Sequence, residues 1–106
     1  MNEHGSNLPI EIDFQDIHKQ TNSIVIDCRT IEEFETGHLK NAINVPLQYL
    51  TVSVNDLPCN CNDSIYVYCK SGNRSSTFTL YLRSIGYNKC QSIAGGIEEW
   101  GESEQC

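Results

Sequence analysis

Basic residues are scarce in this chain: 7 Lys and Arg stand against 14 Asp and Glu in 106 residues, a formal charge of −7. A surface with that balance has no positive stripe for a phosphate backbone or an anionic lipid layer, so nucleic acid and anionic membranes are excluded as partners. Long apolar runs are also missing; a membrane-spanning helix needs roughly 20 consecutive apolar residues. The opening segment, Met1 to Leu8, is polar and lacks the basic-then-apolar pattern of a secretory leader. The chain is therefore expected to be cytoplasmic. Neither repeats nor low-complexity segments interrupt it. What is present, 39% hydrophobic and 20% charged residues, describes an ordinary soluble globule. The length suits one domain over residues 1–106, with its core in about 10–100, and nothing demands more than a monomer.

Cysteine is the one abundant oddity, with six: Cys28, Cys59, Cys61, Cys69, Cys90 and Cys106. In a secreted chain they would suggest a disulfide framework, but without an export signal the thiols are expected to be reduced. Zinc wants paired Cys or His at knuckle spacing. Cys59 and Cys61 have no second pair nearby in sequence, so no metal site is expected.

Strands and helices alternate along the chain. Ile10 to Ile12 is a short apolar-polar-apolar strand, after which Asp13 can cap a helix carrying Phe14 and Ile17. Ile24 to Cys28 is a β-branched run that reads as a buried strand. Thr30 and Glu33 have capping-box spacing, and the helix they open stops at Gly37. Ala42 to Val45 reads as another buried strand ended by Pro46. Leu47, Leu50 and Val54 suggest a helix, and Pro58 to Asp63 a polar loop. Ile65 to Cys69 is the clearest strand. From about Arg74 a helix places Phe78, Tyr81, Leu82 and Ile85 on one face and ends at Gly86. Lys89 to Ile93 is a last strand, Gly95-Gly96 a tight turn, and Ile97 to Trp100 a closing helix. Such alternation predicts an α/β fold: a mostly parallel sheet of about five strands with helices on both faces. In these folds ligands bind outside the carboxyl ends of the strands.

Cys69 stands where such a site belongs, between the best strand and the best helix. The intervening Lys70, Ser71, Gly72 and Asn73 can turn backbone N–H groups inward, forming an anion nest at a helix N-terminus. Lys70 and Arg74 add positive charge. Each feature favours thiolate over thiol, so Cys69 is expected to have a lowered pKa and to act as a nucleophile on an anionic substrate. An inert buried cysteine is the plain alternative, and the loop and its two cations argue against it.

Tyr68-Cys69-Lys70-Ser71-Gly72-Asn73-Arg74-Ser75 resembles the active-site loop of rhodanese-like domains, a family of sulfurtransferases. Three other landmarks agree, in order. Val25 to Arg29, followed by Glu32, Glu33 and Phe34, resembles the family's Asp-x-Arg strand end. Gly37 to Pro46 resembles its Gly-His-Ile-x-Gly-Ala-x-Asn-Ile-Pro segment, and Ala94 to Trp100 its closing Gly-Gly-x-x-x-Trp. Cys28 stands where the family usually has an aliphatic residue and Asn41 where it often has Gly, neither expected to touch the chemistry.

The resemblance implies a rhodanese-like three-layer domain and a two-step reaction. Cys69 takes the outer sulfur of a donor anion such as thiosulfate, becomes a persulfide, and yields that sulfur to cyanide, a thiol or a sulfur-relay protein. No cofactor beyond that persulfide is expected. Lys70 is placed to attract the donor; Arg74 either does the same or braces the loop against a carboxylate. Ser71, Gly72, Asn73 and Ser75 complete the binding loop, and Asp27 and Arg29 support it from a neighbouring strand.

Two rivals are weighed. Related phosphatases and arsenate reductases carry Cys-x5-Arg loops, whereas Cys69 and Arg74 are separated by four residues, a smaller ring that suits sulfur. A binding module without catalysis is the other, with the retained Cys and both cations against it. Cys28 and Cys90 read as core packing and Cys106 as incidental. Cys59 and Cys61 read as exposed and without function, or as one thiol that resolves the persulfide if their loop folds over the site. His38 reads as structural, and Trp100, Tyr66 and Tyr68 as core or rim. Glu32, Glu33, Glu35, Glu98, Glu99, Glu102 and Glu104 read as solvated faces.

Overall fold

The computed structural model describes residues 8–17, 23–57 and 59–100. Five strands, β1 (Glu11–Ile12), β2 (Ser23–Asp27), β3 (Ile43–Asn44), β4 (Ser64–Tyr68) and β5 (Cys90–Ile93), form one sheet in the order β1-β5-β4-β2-β3. Every pairing is parallel. The helices are α1 (Phe14–Ile17), α2 (Ile31–Glu35), α3 (Leu50–Ser53), α4 (Asn73–Ser84) and α5 (Gly96–Trp100). The α/β architecture expected from the alternation is the one observed.

Strand alternation divides the core into two layers. On one face Ile26, Cys28, Ile65, Val67, Cys69 and Cys90 pack with Phe78 and Leu82 of α4. On the other, Tyr66, Tyr68 and Ile93 pack with Ile17 of α1 and Leu39, and Ile97 of α5 lies against them. β4 is central and buried over Ile65–Tyr68 because both of its faces are covered.

Three expectations need correction. The buried strand over Ala42 to Val45 shrinks to the two residues of β3, which pairs only with β2 and leaves Ile43 38% exposed. The expected helix from Leu47 breaks into a 3₁₀ turn (Leu47–Tyr49), α3 and a second 3₁₀ turn (Val54–Asp56). Its β-branched Thr51, Val52 and Val54 lose side-chain freedom in a helix. Ile85 does not share the buried face of α4: it is the C-cap, outside helical geometry at φ −112°, and lies exposed. Ser75 and Thr79 fill that face with Phe78 and Leu82.

Local chemistry explains the rest. Thr30 accepts from the Glu33 N–H and the Glu33 carboxylate accepts from the Thr30 N–H, so the capping box forms. Asn41 has φ 67°, the left-handed region that Asn tolerates best after Gly, which explains the glycine expected there.

The carboxyl edge of the sheet is held by one buried ion pair. Asp27 is fully buried and Arg29 is 5% exposed. The Arg29 Nη2 donates to Asp27 Oδ2 at 2.7 Å and to the Gly37 carbonyl at 2.7 Å, and Nε donates to both Asp27 oxygens at 3.1 Å. The guanidinium also lies 5.6 Å over the Tyr68 ring. The Asn44 amide donates to the carbonyls of Asp27 and Arg29, and the Tyr68 hydroxyl accepts from the Leu39 N–H. β2, β3, β4 and the segment after α2 are thus tied together one residue short of Cys69. Removing one partner strands the other charge inside the protein. Asp27→Ala is expected to cost about 3–5 kcal/mol, read as a lower urea midpoint.

Candidate active site

The site begins with a strand that runs out and a helix that lacks a side-chain cap. β4 ends at Tyr68, and α4 starts at Asn73 with Gly72 as N-cap. Gly72 has φ 116° and no side chain to cover the free N–H groups at the helix start. The Cys69 sulfur fills that role. The Gly72 N–H donates to Sγ at 3.0 Å and the Ser75 N–H at 3.4 Å, and the Ser75 hydroxyl lies 3.5 Å away. That hydroxyl is itself placed by the Gly72 carbonyl (3.1 Å) and the Ser92 hydroxyl (2.6 Å).

From behind, the loop is held by α5. The Ile97 and Glu98 N–H groups donate to the carbonyls of Cys69 and Lys70 at 2.9 Å each. Gly96 makes this approach possible. Its φ is 62°, and a Cβ there would lie 2.5 Å from the Lys70 carbonyl oxygen and 2.6 Å from that of Cys69.

The flanking residues divide into two groups. Arg74 makes a two-pronged ion pair with Glu33, Nη1 to Oε1 at 2.8 Å and Nη2 to Oε2 at 3.0 Å. The guanidinium holds the Glu33 carboxyl down at about 2, and the capping N–H of Thr30 assists against the cost of burial. Of the two roles open to Arg74, the bracing geometry is the one present. Lys70 is exposed, 3.9 Å from Glu98. Ser71 and Asn73 are exposed, while Gly72 and Ser75 are buried. Asp27 ends adjoining β2 and Arg29 follows it by two residues, in the ion pair described above. His38 Nδ1 is 3.0 Å from the Phe34 carbonyl and its ring stacks on Phe34 at 3.7 Å.

Two sequence readings are corrected here. Glu33 is more than a solvated face residue, since it clamps the loop arginine. Cys28, expected to stay clear of the chemistry, packs in the same buried cluster as Cys69, and each thiol shifts the proton affinity of the other. The signal for this contact lies in the two strands: Ile24-Val25-Ile26-Asp27 pairs residue for residue with Ile65-Tyr66-Val67-Tyr68, and Cys28 and Cys69 follow directly after them. Cys59 and Cys61 belong to the opposite end of the sheet. Cys59 lies near Tyr87 and Cys90, whose hydroxyl and thiol it perturbs, and Cys90 pairs with Ile65 at the start of β4. Five residues of strand, roughly 16 Å at about 3.3 Å each, separate that loop from Cys69. The idea that either thiol folds over the site is withdrawn. Trp100's side chain, Pro58, Glu102, Glu104 and Cys106 lie outside the described residues.

Electrostatics agree with the geometry. The Cys69 thiol is held down at about 4, first by the Cys28 hydrogen bond, with the Ser75 hydroxyl and the Ser75 and Gly72 N–H groups adding to it against the cost of burial. Cys28 moves the other way, well above the usual thiol range, because its proton serves the Cys69 sulfur and it is buried. The charge sits on Cys69 rather than Cys28 because both loop N–H groups point there.

Against known proteins, the rhodanese-like domain profile matches residues 12–103. The chain belongs to the rhodanese-like domain family. A putative sulfur carrier protein, YrkF, from Bacillus subtilis is 30% identical over 106 residues, spanning 96% of this chain and 56% of its own. The adenylyltransferase and sulfurtransferase uba4 of Ogataea parapolymorpha is 33% identical over 89 residues, covering 84% of this chain and 23% of its own. The chain thus spans between 23% and 56% of the length of these relatives. A rhodanese-related protein from Thermoplasma volcanium superimposes with a TM-score of 0.78 at 29% identity, covering 88% of this chain and 91% of its own. The family's curated members include sulfurtransferases and sulfur carriers.

The thiolate can be titrated directly. The ultraviolet thiolate absorbance of the wild type minus that of Cys69→Ala is expected to persist into acidic solution and to fall with a midpoint near 4, as protonation removes the acceptor of the loop N–H groups. Cys28→Val, which removes the strongest donor, moves this midpoint upward by more than Ser75→Ala does.

Proposed function

We propose that this chain is a sulfurtransferase that carries sulfane sulfur on Cys69. The observation that carries the reading is the Cys69 sulfur capping the start of α4, where Gly72 and Ser75 N–H groups donate to it. A charged sulfur with a low proton affinity is a nucleophile near neutral pH without a general base. In the first step the thiolate attacks the outer sulfur of thiosulfate. The S–S bond of the donor breaks, sulfite leaves with the electron pair, and Cys69 becomes a persulfide anion. In the second step cyanide or a thiol attacks the outer sulfur and returns Cys69 as thiolate. The N–H groups that hold Sγ stay in place through both steps, which is stabilisation without reorganisation. Exposed Lys70 attracts the anionic donor, and its loose pairing with Glu98 leaves it free to do so. The likeness to a putative sulfur carrier protein supports a thiol on a partner protein as acceptor.

The phosphatase and arsenate reductase reading loses ground on two contacts. Arg74, which would have to grip a tetrahedral oxyanion, already has its fork on Glu33. That same carboxylate, held at about 2, cannot supply the proton a phosphate leaving group needs, and Asp27 is committed to Arg29.

The test is the first half-reaction. Mixing the reduced protein with excess thiosulfate in the absence of any acceptor is expected to release a burst of one sulfite per chain, absent from Cys69→Ala. If the wild type releases no more sulfite than Cys69→Ala, thiosulfate is not a donor and the reading fails.

A further inference from the structure

Cys28 helps keep Cys69 charged but makes and breaks no bond in the reaction above, and the contact pairs two deeply buried thiols. Each is 1% exposed. β2 and β4 run in parallel register, with Asp27 opposite Tyr68, and the Cys28 N–H continues the ladder by donating to the Tyr68 carbonyl at 3.0 Å. One step further along the two strands, Cys28 stands beside Cys69. Both side chains face the same layer, because Ile26 and Val67, two residues earlier, are in the same cluster with them. Adjacent strands are about 4.8 Å apart, within the Cα separation of about 4.4–6.8 Å that a disulfide bridges. A disulfide between the two strand ends is within reach of that spacing.

We propose that Cys28 is the resolving thiol of this site: it attacks Sγ of a persulfidated Cys69, expels the outer sulfur as hydrosulfide, and leaves a Cys28–Cys69 disulfide. The proposal rests on the sulfur-carrying role given above to Cys69. Atoms and electrons balance within the pair. The Cys28 sulfur forms a bond to Cys69 Sγ, the bond from Sγ to the outer sulfur breaks, and the outer sulfur leaves with that electron pair and the Cys28 proton as hydrogen sulfide. The outer sulfur is reduced and the two cysteines are oxidised, so no external oxidant enters. A dithiol reductant then returns the disulfide to the starting thiols. The net activity is conversion of thiosulfate and a dithiol to sulfite, hydrogen sulfide and a disulfide.

The resting state explains why Cys28 waits. While Cys69 is a bare thiolate, the Cys28 proton is hydrogen-bonded to it and its loss is opposed by the neighbouring charge. Loading Cys69 with sulfur moves that charge one atom outward and weakens the acceptor, which frees the Cys28 thiol for attack. Cys59 and Cys61, at the far end of the sheet, cannot compete.

The experiment treats wild type, Cys28→Val and Cys28→Ser with thiosulfate, without oxygen or added thiol. Sulfite, hydrogen sulfide, intact mass and the disulfide-linked peptides are then measured without reduction. The wild type is expected to release sulfite and hydrogen sulfide in equal amounts and to end two hydrogens lighter, with Cys28 linked to Cys69. Assayed above the ordinary thiol value of 9.0, where Cys69 ionises without Cys28, Cys28→Val and Cys28→Ser are expected to release sulfite, at whatever rate, but no hydrogen sulfide, and to stay one sulfur heavier. Val is an aliphatic replacement suited to this apolar layer, and Ser guards against a packing defect in it. A wild type that releases sulfite but keeps its extra sulfur overturns the resolving role and leaves the sulfur-carrying role standing. A disulfide mapped to any other pair also overturns it. Absence of sulfite from all three proteins overturns both readings.

Discussion

A negative charge on a buried sulfur is costly unless donors surround it. Here they are supplied by two separate pieces of chain: the helix start, with the Gly72 and Ser75 N–H groups and the Ser75 hydroxyl, and the end of the neighbouring strand, with the Cys28 thiol. Most of the surrounding structure can be understood as holding those pieces still. Arg29 on Asp27 fixes the end of β2, and with it the position of Cys28. Gly96 allows α5 to grip the loop from behind through the carbonyls of Cys69 and Lys70. Arg74 on Glu33 anchors the first turn of α4 to α2.

This arrangement divides labour between charges in a way that composition alone hides. Among the cations near the loop, Arg29 is spent inside the protein and Arg74 on its flank, while Lys70 is exposed and only loosely paired with Glu98. On the proposed sulfur-transfer role, the acidic surface would matter most to a protein acceptor, whose complementary face would be basic.

Much of the fold was legible in the residues. β-branched runs marked β2 and β4, a capping-box spacing marked α2, and Gly-Gly marked the turn that α5 requires. Cys69 with its loop and Arg74 stood out because strand, turn residues and helix followed one another without a gap. Less was legible where local signals are weak. The two-residue edge strand β3 and the broken helix around Leu50 depend on what lies beside them rather than on their own residues. Arg74 carried two readings, and only the position of Glu33, 41 residues away in sequence, selects between them. Glu33 itself looked like any capping glutamate.

The order of elements, the parallel sheet and the place of the candidate nucleophile were thus determined by the chain itself, because propensity, capping and turn chemistry act over a few residues and can be read there. Partnerships across the sheet were decided by tertiary structure alone. Cys28 is indistinguishable from a small core hydrophobe until the register of β2 against β4 sets it beside Cys69. Cys59 and Cys61 look like neighbours of the site until the same register sends them to the opposite end. A parallel ladder brings together residues some 40 positions apart by backbone hydrogen bonds common to every residue type, so no local signal announces which side chains will meet.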